Sequence, residues 1–274
     1  MLRNIAILFA CIMLLLAACS PERKLARNYV KQHTGNGVMI IPLNELYKDN
    51  LSISFDTAVK YSPEQFDSIA WVQSCYIKNV SDSVFLTIFT NSLIDKLTSD
   101  GYDVYVDGSS DVFLSLPDPK WIIHIEQLQL DEEYSIEFNE VYSAESGEPF
   151  SEGYRANQVS LSSWIEASRA NADNKQVLFL EGYVQDNFRR EVDFNIMEGS
   201  VGLELIRDSV GMDEVYQLAH YMGKKHAELL FDYFMNDYIR ENLPAGIINR
   251  QYFRFDRQSK SVKKGLEEKF DVVN

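Results

Sequence analysis

Residues 121–130 read WIIHIEQLQL, a stretch in which apolar and polar residues alternate. Successive side chains of a β-strand point to opposite faces of a sheet, so the alternation predicts a strand with one buried face. Trp121, Ile123 and Ile125 have odd numbers, whereas Leu128 and Leu130 have even numbers. This change of parity near Glu126 predicts a β-bulge, because one extra residue moves the buried set to the other parity.

Strand patterns continue on both sides of this stretch. A compact apolar run ends at Pro42, and residues 157–184 predict a hairpin of two strands around a polar turn. The remaining predicted strands are residues 38–41, 51–55, 102–106 and 134–138.

Two segments show helical spacing instead. Apolar residues recur every three or four positions from Asp82 until Asp100-Gly101, and again from about Met212 to Asn242. The order of elements predicts an α+β two-layer sandwich, with a mostly antiparallel sheet, helices on one face and a long C-terminal helix. We expect one domain over residues 37–243 and a basic, aromatic tail over residues 244–274, which should dock on the domain through Tyr252, Phe253 and Phe255.

The N-terminus has the features of an export signal. Arg3 precedes an apolar run from Ile5 to Leu16, which is shorter than the roughly 20 residues that a membrane-spanning helix needs. Leu16-Ala17-Ala18-Cys19 resembles the lipobox of bacterial lipoproteins. The resemblance implies that residues 1–18 are cleaved and that Cys19 becomes the first residue, with lipid on its thiol and its amino group. An ordinary signal peptide and a buried anchor helix are the alternatives.

Residues 19–36 are then expected to form a lipidated tether. The implied location is a bacterial membrane, the outer membrane facing the periplasm or the cell surface. By its order of elements the body also resembles, loosely, the auxiliary and assembly lipoproteins of bacterial envelopes, and many exported lipoproteins of similar length. That resemblance implies a binding role and assigns no residue.

Charge is unevenly distributed along the chain. The net charge is -15, but residues 37–243 hold 14 Lys or Arg and 36 Asp or Glu, a net of -22. Both ends are basic, at +4 for residues 1–36 and +3 for residues 244–274. The acidic body argues against nucleic acid as a partner. The basic start suits either anionic headgroups or a solvated tether.

The residue types that carry chemistry form no recognisable site. Cys75 is the one thiol left after processing, and its apolar surroundings predict a buried, unreactive side chain. His220 and His226 are six residues apart, about 120° around a helix, which does not fit a zinc pair and predicts a core role for His226. No metal, cofactor or catalytic residue is therefore expected.

Three functional hypotheses remain. The first is a non-enzymatic lipoprotein that binds or scaffolds another envelope protein at a membrane surface. The second is a glycan-binding surface lipoprotein that uses Trp121 or Trp164 beside Glu166. The third is a hydrolase that uses the strand carboxylates at residues 131–133, with Glu137 and Glu140 nearby.

Overall fold

A computed structural model describes residues 20–52, 62–142, 149–172, 175–195, 200–247, 251–265 and 270–273. The strands are β1 (Gly37–Ile41), β2 (Tyr47–Asn50), β3 (Asp103–Tyr105), β4 (Lys120–Tyr142), β5 (Pro149–Arg169), β6 (Lys175–Gln185), β7 (Asn187–Asn195), β8 (Ser200–Asp208), β9 (Phe253–Asp256), β10 (Ser261–Lys264) and β11 (Phe270–Val273). The helices are α1 (Pro21–Gln32), α2 (Pro63–Gln73), α3 (Asp82–Ser99), α4 (Ser110–Ser115) and α5 (Met212–Asn242), with a 3-10 turn at Ile77–Asn79.

The main sheet is mixed, in the order β11-β6-β5-β4-β1-β3, with β2 paired to β4. Its long strands β4, β5 and β6 run antiparallel, whereas the short strands β1, β2 and β3 join in parallel. The predicted hairpin of β5 and β6 is confirmed. The predicted bulge is also confirmed, because the β4–β5 register shifts between Ile125 and Gln127.

The strand predicted at residues 51–55 is absent at its first two residues, because the neighbouring strand β2 ends at Asn50 and the chain turns at Leu51 and Ser52. Leu51 N–H donates to the carbonyl of Glu132 and closes the pairing with β4. Ile53 and Phe55 lie outside the described residues.

The helical layer covers one face of the sheet, so the predicted α+β fold is confirmed. α3 and α5 pack closely at Gly223, where a Cβ would lie 2.4 Å from the carbonyl oxygen of Phe89. α5 in turn packs on the sheet, and Phe234 stacks on Trp121 with ring centroids 4.4 Å apart. The short helix α4 lies on the opposite face, against Gly37.

The N-terminal segment folds into the domain instead of forming the expected tether. Ser20 caps α1, and Ala26 and Tyr29 are buried against the core. The hydroxyls of Tyr29 and Tyr102 lie 2.6 Å apart, and His33 Nε2 lies 2.5 Å from the carbonyl oxygen of Asp100. These polar contacts join α1 to the end of α3 and the start of β3.

The C-terminal segment also joins the domain, as the sequence predicts for its aromatic residues. Phe253 is fully buried and Phe255 packs against the core. Asn236 on α5 accepts the N–H of Phe253 and donates to its carbonyl, and Asp232 accepts the N–H of Phe255. The segment is therefore part of the same hydrophobic core as the helices.

Candidate binding surfaces

α1 carries a basic stripe on the side away from the core. Lys24, Arg27 and Lys31 are all exposed. Their spacing of three and four residues places them within about 60° on one helix face. None of the three forms an ion pair with the described residues, and Glu22 is the one acid on the helix. The stripe is thus a surface with uncompensated positive charge.

The distal halves of β4 and β5 form an arm, here defined as residues 134–142 paired with residues 149–157. One face of the arm shows Tyr134, Ile136 and Phe138, which are 42%, 48% and 69% exposed. The exposed fraction rises toward the tip as the arm extends beyond the helical layer. Three large apolar side chains in a row on one exposed face are typical of an interaction surface.

On its opposite face the arm contacts the β7–β8 hairpin. Tyr154 stacks on Phe188 with ring centroids 5.5 Å apart. The hairpin is fixed by buried Asp186, whose carboxylate accepts the N–H groups of Asn157 and Val210 and pairs with Arg207. Burial alone would raise the pKa of Asp186, but these donors outweigh it and hold the pKa below its usual value. The apolar face is therefore presented by a supported arm.

A polar cavity of about 460 Å³ lies between β2 and α2. Tyr47 and Trp71 line it with half-exposed rings, and the carboxylates of Asp49 and Asp67 add acceptors. The Lys48 ammonium lies 5.7 Å from the ring centroid of Trp71. Aromatic faces beside hydrogen-bonding side chains suit polar ligands that also have an apolar face, such as sugars.

The residues that the sequence predicts as glycan contacts lie outside this cavity. The prediction for Trp121 is wrong, because its side chain is 2% exposed and packs under α5. Trp164 and Glu166 lie on the sheet face opposite α5, two residues apart on β5. Trp164 contacts the ring of Phe179, and Glu166 pairs with Lys175 at 2.9 Å. Neither lines the cavity beside β2.

The strand carboxylates at residues 131–133 are divided between the two faces of β4. Glu132 points toward the helices, where its carboxylate accepts the N–H groups of Cys75, Tyr76 and Ile77 and the hydroxyl of Ser74. Asp131 lies on the other face, where burial and nearby Asp49 raise its pKa. Glu132 is therefore an anchor for the chain entering the 3-10 turn.

The same turn overturns the prediction for Cys75. Its side chain is exposed, although its sequence neighbours are apolar. The N–H of Cys75 is held by Glu132 at 2.7 Å, and this contact turns the backbone so that the thiol faces solvent.

The core role of His226 is confirmed. The residue is fully buried, and its Nε2 lies 2.6 Å from the Ser163 hydroxyl, which in turn donates to the carbonyl of Leu180. Because that hydroxyl has one hydrogen to give, Nε2 must carry the proton and donate. Burial lowers the pKa of His226 to about 3, so the ring is neutral. His220 lies elsewhere, with Nδ1 2.6 Å from Ser92 Oγ.

Cys19 lies outside the described residues. None of the described helices is long and apolar enough to span a membrane. In the described part of the chain, no three His, Cys, Asp or Glu side chains are grouped to hold a metal ion.

No protein-family model matches the sequence, and no curated protein is significantly similar to it.

The sequence identifies the basic start that contains the stripe, but two other features were missed. The exposure of the arm and the position of Tyr47 and Trp71 around one cavity had no local signal, since both depend on the tertiary fold.

Proposed function

We propose that the chain is exported, receives lipid at Cys19 and acts at a bacterial envelope membrane as a non-enzymatic binding or scaffolding protein. The arm is the surface that takes the partner, another envelope protein. The lipobox supports the anchoring. The apolar row of Tyr134, Ile136 and Phe138 on the supported arm carries the binding proposal.

A photo-crosslinking amino acid at Phe138 in living cells tests this function. We expect one discrete protein adduct, which Ile136→Asp abolishes while the melting temperature of the variant stays unchanged. A crosslinker at Tyr221 is the matched control, because this aromatic residue on α5 is similarly exposed. Absence of an adduct at Phe138, or the same adduct at Tyr221, would contradict the proposal.

A second candidate function is glycan binding. The cavity beside β2 is a better candidate site for a glycan than the sheet face that carries Trp164. Trp71→Ala should then abolish retention of the protein on immobilised envelope polysaccharide, because it removes one aromatic face of the cavity. Trp164→Ala should leave retention unchanged. Equal loss with both variants, or no loss with either, would remove the cavity from consideration.

A further inference from the structure

We propose that the basic stripe of α1 lies against the anionic headgroups of the membrane that carries the lipid anchor, and so sets the orientation of the whole domain. This inference rests on lipidation of Cys19, which belongs to the function proposed above. Its ligand is a lipid surface that contains anionic headgroups.

The lipid anchor lies next to the folded helix in the sequence. Cys19 directly precedes Ser20, whose hydroxyl accepts the N–H of Arg23 and so caps α1. One residue spans at most about 3.6 Å. No flexible stretch separates the lipid from the helix, so the N-terminus of α1 is held at the headgroup region.

α1 is rigidly attached to the domain. Tyr29 and His33 are buried, and their side chains contact Tyr102 and Asp100. Tyr29 and His33 also form ring contacts with Phe231 of α5. A helix fixed in this way transmits its orientation to the sheet and to the arm.

The charge of the stripe is complementary to an anionic membrane surface. Lys24, Arg27 and Lys31 point away from the core and are not neutralised by described carboxylates. The β9–β10 hairpin, which packs beside α1, adds exposed Lys260 and Lys264. An anionic surface attracts this side and repels the acidic body, which has a net charge of -22 over residues 37–243. Position and charge therefore favour the same orientation.

Lysine labelling of the lipidated wild-type protein tests the proposal. The protein is reconstituted in phosphatidylcholine vesicles, with or without roughly 30% phosphatidylglycerol, and an amine-reactive reagent is followed by mass spectrometry. We expect Lys24 and Lys31 to react about fivefold more slowly on the anionic vesicles. Lys224, exposed on α5, is the internal control and should react equally on both. About 1 M salt should abolish the difference, because it shortens the Debye length to roughly 3 Å.

The variant Arg27→Glu keeps both reporter lysines and reverses the charge between them. We expect it to lose most of the protection, whereas Lys78→Glu, an equal change of charge on the exposed 3-10 turn, should keep it. Equal labelling of the acylated protein on both kinds of vesicle would overturn the orientation alone. An intact mass without acyl groups, measured before labelling, would overturn both the lipidation and the inference.

Discussion

Glu132 shows how one side chain can fix a segment that is distant in sequence. Its buried carboxylate accepts three backbone N–H groups and one hydroxyl from residues 74–77. Glu132→Gln replaces one acceptor with a donor that faces those groups. We expect the free energy of unfolding to fall by about 1 to 3 kcal/mol in urea titrations. Glu181→Gln, on the exposed face of β6, should change it little.

Asp232 and His226 give opposite contributions to the pH dependence of stability. Burial raises the pKa of Asp232 to about 7, from 3.8, and lowers that of His226 to about 3, from 6.5. Between pH 4 and 7 the folded protein keeps the Asp232 proton, whereas the unfolded chain releases it. The stabilisation that this bound proton gives the folded state is therefore lost as the pH rises. The His226 contribution is lost as the pH falls below about 6.5, because only the unfolded chain then gains the proton.

We therefore expect Asp232→Asn to become more stable relative to wild type as the pH rises from about 4 to 7, by up to roughly 1.4 kcal/mol per pH unit. The asparagine oxygen still accepts the N–H of Phe255. Urea midpoints across this range measure the effect. A constant difference between the two proteins would show that Asp232 titrates normally in the folded state.

Cys75 should react rapidly with a thiol reagent in the native protein, at a rate within about tenfold of that in denaturant, because its side chain is exposed. The processed chain is the one to use, since the signal segment contains Cys11. Slow labelling of the native protein would instead indicate that the Cys75 thiol is buried, as its apolar sequence neighbours predict.

Among the elements, those with a long, regular pattern were predictable. The helix Met212–Asn242 and the bulge near Glu126 follow from periodicity alone. α1 was not predicted as a full helix because its apolar face is short, with Leu25, Ala26, Tyr29 and Val30 spanning less than two helical turns. Its burial depends on Tyr102 and Asp100, which are distant in sequence, so only the tertiary fold reveals it.

The candidate surfaces were less predictable than the fold. The alternation of Tyr134, Ile136 and Phe138 predicts a strand with a buried face, and the strand exists. Their exposure arises because the helical layer stops before the end of β4, which no local pattern encodes. The cavity likewise combines Tyr47 on a short strand with Trp71 on a helix that had no predicted counterpart.

At the C-terminal segment, apolar burial should outweigh charge. Phe253→Ala should lower the free energy of unfolding by about 3 to 5 kcal/mol, since the ring is fully buried. Gln258→Ala, at the exposed β9–β10 turn, is the control.

Deletion of residues 247–274 should lower the melting temperature, while added salt should change that of the intact protein little. Unchanged stability after deletion would mean that this segment is held weakly.

For the whole molecule, Cys19→Ser should abolish acylation and release the protein from membranes. The apolar run before it is too short to span a bilayer, and the described helices include no candidate span. Fractionation after growth with radiolabelled palmitate measures both effects. Membrane association of the unacylated variant in high salt would point to a protein partner or to a further anchor.

The packing of α1 on α5 also bears on how the chain would leave the cytoplasm. Tyr29, near the start of the domain, completes its contacts only when Phe231, near the end, is in place. A precursor emerging from the ribosome cannot close this core until synthesis is almost finished. We expect it to stay unfolded long enough to be threaded through a secretion channel, and to fold once α5 has crossed.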